Sequence, residues 1–177
     1  TLPGPSQVTF AYDADGRRTR MTDPTGTTYW NYDARGQVVS RVDAFGATYY
    51  TYDDAGRRTA ILNADGEATY YQYDAADRVS AVISPYGEVT YYEYLANDLT
   101  QCALLGNGVG AYYEYDVGNR ITSITHRRVS DGADLGSFHY QYDHNSNRTR
   151  LSFEGDAVPP GCGVKSIVYQ YSVSSMD

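Results

Sequence analysis

The chain has 177 residues, 20 of them Tyr against four Phe and one Trp, and a formal charge of −8. That acidity disfavours a nucleic-acid backbone or an anionic membrane surface as main partner, since both reward a basic face. No apolar run is long enough to span a bilayer as a helix, and Leu, Lys and Glu are scarce beside Tyr, Thr and Val, which tilts the whole chain towards strand.

In chain order, the predicted elements recur. Units aligned on Tyr-Asp begin at Tyr12, Tyr32, Tyr52 and Tyr73, pass through Tyr94 and Tyr115, and return at Tyr142 and Tyr171. The spacing is 20, 20, 21, 21, 21, 27 and 29 residues. Each unit holds two turns. Asp13-Ala-Asp-Gly16 precedes Asp23-Pro-Thr-Gly26, and later come Asn63-Ala-Asp-Gly66 and Ser84-Pro-Tyr-Gly87. Asp, Asn or Ser at the first turn position accepts backbone N–H bonds, and Gly at the fourth permits φ > 0. This predicts hairpins built on a type I turn with a glycine bulge. Asp77, Asp98 and Asn119 stand where the fourth-position Gly is missing, and Asp and Asn tolerate the left-handed region best among the remaining residues.

About six residues separate successive turns, giving strands roughly 20 Å long. Side-chain alternation puts Trp30/Tyr32, Tyr50/Tyr52, Tyr71/Tyr73, Tyr92/Tyr94 and Tyr113/Tyr115 on one face. Tyr29, Tyr49, Tyr70, Tyr91 and Tyr112 fall on the other, beside Asn31, Thr51, Gln72, Glu93 and Glu114. The expected fold is all-β: consecutive hairpins of about 20–21 residues per repeat forming a curled or spiral antiparallel sheet. Residues 1–125 read as regular repeats. Residues 126–177 read as irregular ones with longer loops, "HRRVSDGADLGS" and "FEGDAVPPGCGVKS", continuous with the same sheet.

The stretch "YDADGRRTRMTDPTGTTYWNYDARGQ" resembles the YD-repeat, or rearrangement-hotspot (Rhs), family: aromatic-x-Tyr-Asp-x-x-Gly-Arg, a short strand and a Gly turn. The pattern is legible at Gly16-Arg17, Gly56-Arg57, Asp77-Arg78 and Asn119-Arg120, with departures at Gln37, at Tyr94-Leu95 and in "YDHNSNR" from Tyr142. The resemblance covers about residues 8 to 150. It implies a spiral β-sheet of the kind that forms hollow shells in bacterial Rhs toxins and insecticidal toxin complexes and part of the extracellular region of teneurins. It also implies secretion or surface display, in a bacterial setting. Asp23-Pro24-Thr25-Gly26 sits at an ordinary turn position, and turn chemistry accounts for it.

About 15 strands at ~4.8 Å span ~70 Å, and closed into a ring they would enclose only ~20 Å. A ~100-residue cargo with a radius of gyration of ~13 Å would not fit. The expected role is therefore a non-enzymatic scaffold, a segment of an Rhs-type shell whose partners are further YD repeats. Two alternatives stand beside it: an extracellular filament subunit joined to copies of itself through its end strands, and a carbohydrate-binding adhesion module.

Candidate sites are few. Tyr29, Tyr49, Tyr70, Tyr91 and Tyr112 could stack on sugar rings, with cross-strand aromatic packing as the simpler reading. Cys102 and Cys162 permit one disulfide and demand none, and Asn147-Arg148-Thr149 has the form of a glycosylation sequon. His126, His139 and His144 lack metal-ligand spacing, and each Tyr-Asp aspartate has a turn to hold, so no catalytic residue, cofactor or metal is expected. No nucleic-acid partner and no membrane insertion are expected either.

Overall fold

The structure, a computed structural model, describes residues 7–155 and the backbone of strand 166–170. All of its regular elements are β-strands. The chain divides into two compact units, residues 1–87 and 88–177. In the first unit β1 (Thr9–Tyr12), β2 (Arg18–Asp23), β3 (Gly26–Tyr32), β4 (Val38–Asp43), β5 (Gly46–Tyr52), β6 (Arg58–Leu62), β7 (Ala68–Tyr73) and β8 (Val79–Ile83) follow one another as an antiparallel meander. The second unit runs likewise through β9 (Val89–Tyr94), β10 (Thr100–Leu104), β11 (Val109–Tyr115), β12 (Ile121–Arg128), β13 (Asp134–Tyr142), β14 (Arg148–Gly155) and β15 (Ser166–Gln170). Every strand pairs with its sequence neighbour within its unit, so the fold is consecutive hairpins.

The Tyr-Asp turns share one geometry. The Asp13 N–H donates to the Arg17 carbonyl at 2.9 Å and the Gly16 N–H returns to the Asp13 carbonyl at 3.1 Å. The same two bonds recur at Asp33, Asp53, Asp74, Leu95, Asp116 and Asp143. The register slips by one residue beside the turn, for example between Asn31 and Tyr32 and between Thr51 and Tyr52. This is the expected type I turn with a bulge, and it forces the fourth residue to φ > 0. Asp77, Asp98 and Asn119 adopt φ of 62°, 64° and 62°, and Ser146 joins them at 66°.

The alternate turns are of two kinds, where one was expected. Asn63–Gly66 and Leu105–Gly108 repeat the bulged geometry. At Asp23–Gly26 and Asp43–Gly46 the first and fourth residues instead pair directly in the ladder, leaving two-residue loops. Gly26 and Gly46 take φ of 142° and 121°, a region that only glycine reaches without strain.

The stretch from His126 also differs from expectation. Much of the extra sequence lengthens the hairpin: β12 has 8 residues and β13 has 9. Arg127 and Asp134 face each other across it with an ion pair at 2.7 Å, and a short loop closes at Asp131 and Gly132. Of the second expected insertion, residues 153–166, the first three continue β14, Ser166 opens β15, and residues 156–165 lie outside the described residues.

Burial is thin. Among the described residues the buried ones are small: Thr28, Ser40 and Ala81 in the first unit, and Cys102, Ala103, Gly110, Ala111, Ser123 and Gly136 in the second. Tyr and Trp rings are half-buried or exposed. A single sheet cannot enclose large side chains on its own, so cohesion must come from strand ladders and from contacts made along the sheet.

Candidate functional site

The seam between successive repeats is built from three positions: the Tyr and Asp of Tyr-Asp and the residue four after the Asp. In the first repeat Asp13 Oδ1 accepts the Asp15 and Arg17 N–H groups at 3.0 and 2.8 Å, and its Oδ2 accepts Arg17 Nε–H at 2.7 Å. Asp53 with Arg57, Asp74 with Arg78 and Asp116 with Arg120 repeat the arrangement. These bonds favour the ionised carboxylate. The Arg17 side chain and then its N–H hold Asp13 below the usual carboxylate range, and the Arg57 N–H leads for Asp53.

The same arginine reaches the next repeat. Arg17 lies 5.2 Å from the Tyr32 ring centroid, Arg57 4.7 Å from Tyr73 and Arg120 4.8 Å from Tyr142, within cation–π range. Each Tyr then points its hydroxyl back one repeat. Tyr32 donates to the Arg18 carbonyl at 2.8 Å, Tyr52 to Val38 at 2.8 Å and Tyr73 to Arg58 at 2.7 Å. In the second unit Tyr115 donates to Thr100 and Tyr142 to Ile121, both at 2.8 Å. The acceptor is always the sixth residue after the previous repeat's Tyr. Asp therefore fixes the turn, Arg joins the turn to the next ring, and that ring's hydroxyl ties the two repeats together.

The opposite face carries the tyrosines expected to be available to a ligand. Tyr29, Tyr49, Tyr70 and Tyr91 are each about half exposed, whereas Tyr112 is half-buried. His139 occupies the matching place on β13, opposite Ser123 and Ser152, and is half-buried. Flanking these rings is a row that sequence reasoning missed, the eighth residue after Tyr32, Tyr52, Tyr73, Tyr94 and Tyr115: Ser40, Ala60 and Ala81 in the first unit, Cys102 and Ser123 in the second. Ser40 stands opposite Asn31 and Tyr49, and Asn31 Nδ2–H donates to Ser40 Oγ at 2.8 Å. Cys102 stands opposite Glu93 and Tyr112, with its thiol 3.5 Å from a Glu93 carboxylate oxygen. The signal was in the repeat itself, as a run of small residues at a fixed offset.

The remaining candidates fall as follows. Cys102 is buried and free, and burial first, then the Glu93 charge, pushes its thiol pKa up. Cys162 lies outside the described residues. Asn147 takes the place that arginine holds elsewhere, its side-chain amide donating to Asp143 Oδ2 at 3.0 Å. His126 meets the Phe138 ring edge-on at 6.2 Å, and His144 is exposed beside Asp143. Among the described residues no group of three or more His, Cys, Asp or Glu side chains is placed to hold a metal ion. Among them, too, no helix is long and apolar enough to cross a membrane.

Comparison with known proteins returns the same repeat. The RHS Repeat family model matches residues 1–28 and 32–68. Solved structures with the same fold include the crystal structure of TcdB2-TccC3, at 20% identity and a TM-score of 0.70 over 86% of this chain. The Tc holotoxin pore of Photorhabdus luminescens, carrying a TccC3 mutation, aligns at 19% identity and 0.72 over 86%. TcdB2-TccC3-TEV aligns at 18% and 0.71 over 85%. The chain spans only 9% of the length of each of these. No curated protein matches. The RHS Repeat match thus covers residues 1–28 and 32–68, and two of the units that follow, at Tyr73-Asp74-Arg78 and Tyr115-Asp116-Arg120, show the same turn and Asp–Arg chemistry.

Proposed function

We propose that this chain is a stretch of wall in a larger RHS-type scaffold, performing no catalysis of its own and acting outside the cytoplasm of a bacterium. The observation that carries this reading is the seam. Tyr32, Tyr52, Tyr73, Tyr115 and Tyr142 each tie their repeat to the one before through the hydroxyl, reinforced at Tyr32, Tyr73 and Tyr142 by a cation–π contact, so repeats add without needing a closed core. The fold shared with a Tc holotoxin pore and with TcdB2-TccC3, of which this chain matches 9%, supports a role as part of an extended assembly built with other proteins. Its partners are then further RHS repeats on the same polypeptide or on a companion chain. Electron cryomicroscopy of the intact natural gene product is the test. A continuous repeat wall enclosing a volume is expected, and repeats standing as a separate particle with both faces in solvent would refute it.

The half-exposed Tyr29, Tyr49 and Tyr70 on one face of the first unit favour a second reading, carbohydrate stacking. Saturable oligosaccharide binding that is lost on Tyr49→Ala and Tyr70→Ala would support it. Binding unchanged by both substitutions, or no binding at all, would remove it.

A further inference from the structure

One repeat breaks the seam rule, and the way it does so leaves a site. Asp33 and Tyr52 stand in the relation that Asp13 has to Tyr32 and Asp53 to Tyr73, but the residue between them is Gln37 in place of arginine. Gln37 is too short to cover the ring and also pair with the carboxylate. Its Nε2 donates to the Gly56 carbonyl at 2.7 Å, and its Oε1 is buried with no hydrogen-bond partner. Asp33 holds its turn through Oδ1, which accepts the Arg35 and Gln37 N–H groups at 2.9 and 2.8 Å. Among the described residues no cation pairs with its carboxylate. A depression of about 450 Å³ opens here, with Asp33, Gln37, Tyr50, Tyr52 and Asp53 in its wall. Arg35 also borders it, but its guanidinium is engaged by the Asp54 carbonyl at 2.7 Å.

Other departures in the chain are compensated. Leu95 and Leu99 replace carboxylate and arginine together, and Asn147 still donates to Asp143 Oδ2. At Asp33 alone among these turns the negative partner is kept while the donor that elsewhere reaches its Oδ2 is gone. A carboxylate, a tyrosine ring with no arginine over it and an unpaired buried carbonyl oxygen around one depression form the complement of a planar cation rich in N–H donors.

We propose that this depression binds a guanidinium group supplied from outside the repeat, the arginine side chain of a partner polypeptide, in the place that the chain's own arginine takes in the other repeats. In those repeats the guanidinium arrives tethered to a backbone, and the chain's charge of −8 attracts basic polypeptides.

The test uses the full chain, with side-chain NMR signals of Tyr52 and Gln37 as the readout. The probes are N-acetylarginine amide, its lysine and citrulline counterparts, and an otherwise uncharged peptide containing one arginine. Saturable shifts with the arginine amide at millimolar concentration are expected, several-fold weaker with lysine and absent with citrulline, and the peptide should bind more tightly than the amide. Gln37→Arg fills the slot from within, so the variant should fold and lose the response. Asp33→Asn keeps the Oδ1 acceptor for the turn and should lose it too. No saturable shift, an equal response to citrulline, or a response that survives in Gln37→Arg would overturn the proposal. A peptide that binds no better than the free amide would overturn its assignment to a polypeptide partner.

Discussion

The Tyr52 hydroxyl donates to the carbonyl of Val38 at 2.8 Å, fourteen residues earlier in the chain. The contact joins the end of one repeat to the opening strand of the one before, and it uses a backbone acceptor that any residue could supply. Burial, first among its causes, raises the Tyr52 pKa, so the phenol stays protonated and able to donate through the neutral range. Repeating this bond along the chain gives a sheet with few large buried side chains a second source of cohesion beside its strand ladders.

Two glycines should respond differently to the same substitution. Gly66 has φ of +82° with open space where a Cβ would go, so Gly66→Ala should cost only the left-handed strain, about 1–2 kcal/mol. Gly66→Asn should cost less. Gly46 has φ of +121°, and an added Cβ would collide with the Ala64 Cβ, so Gly46→Ala should lose about 3 kcal/mol from strain and overlap together. Urea denaturation of the three variants checks the order, and equal losses at the two sites would contradict it.

Acid should loosen the turns. Asp13, Asp53, Asp74, Asp116 and Asp143 all have folded pKa values below the ordinary carboxylate value, held there by the residue four places on. The side chain of that residue is the leading cause for Asp13, Asp116 and Asp143, and its N–H for Asp53 and Asp74. A depressed folded pKa gives stability that is present above the unfolded value and lost as pH falls through the folded one. The melting temperature should therefore hold steady above about pH 5 and fall progressively below about pH 4. A melting temperature that rises on acidification would contradict this assignment.

Cys102 should behave as a small packing residue. Cys102→Ala should cost less than about 1.5 kcal/mol, while Cys102→Leu, overfilling a slot flanked by Glu93 and Tyr112, should cost about 1–3 kcal/mol. The buried thiol should react with a thiol reagent only slowly in the native protein and quickly in urea. Fast native labelling would show an open site.

Much of the architecture was legible because turn chemistry is local. Asp77, Asp98 and Asn119 could be assigned φ > 0 from their place in the repeat, and they adopt it. The two kinds of alternate turn were not legible, since Asp23-Pro-Thr-Gly26 and Asn63-Ala-Asp-Gly66 satisfy the same residue preferences while pairing differently. The extension of β12 and β13 depends on cross-strand pairs such as Arg127 with Asp134, which become visible only once the register is known. The seam was half legible. Its Asp and Arg are readable in the repeat, but the tyrosine's partner is a backbone carbonyl, which leaves no trace in residue identity. Cys102 drew attention as half of a candidate disulfide, although its position in the row with Ala60, Ala81 and Ser123 describes it more fully.

The account rests on repeats being locked to one another by the tyrosine hydroxyls, and removing them from the first unit tests that most directly. A chain carrying Tyr32→Phe, Tyr52→Phe and Tyr73→Phe keeps every ring and every strand pair but loses three hydroxyl-to-carbonyl bonds. At about 1 kcal/mol for each bond and near-additivity for separated sites, urea unfolding should show a loss of about 3 kcal/mol. An unfolding curve that superimposes on that of the unsubstituted chain would contradict the account and return the cohesion of the repeats to the backbone ladders alone.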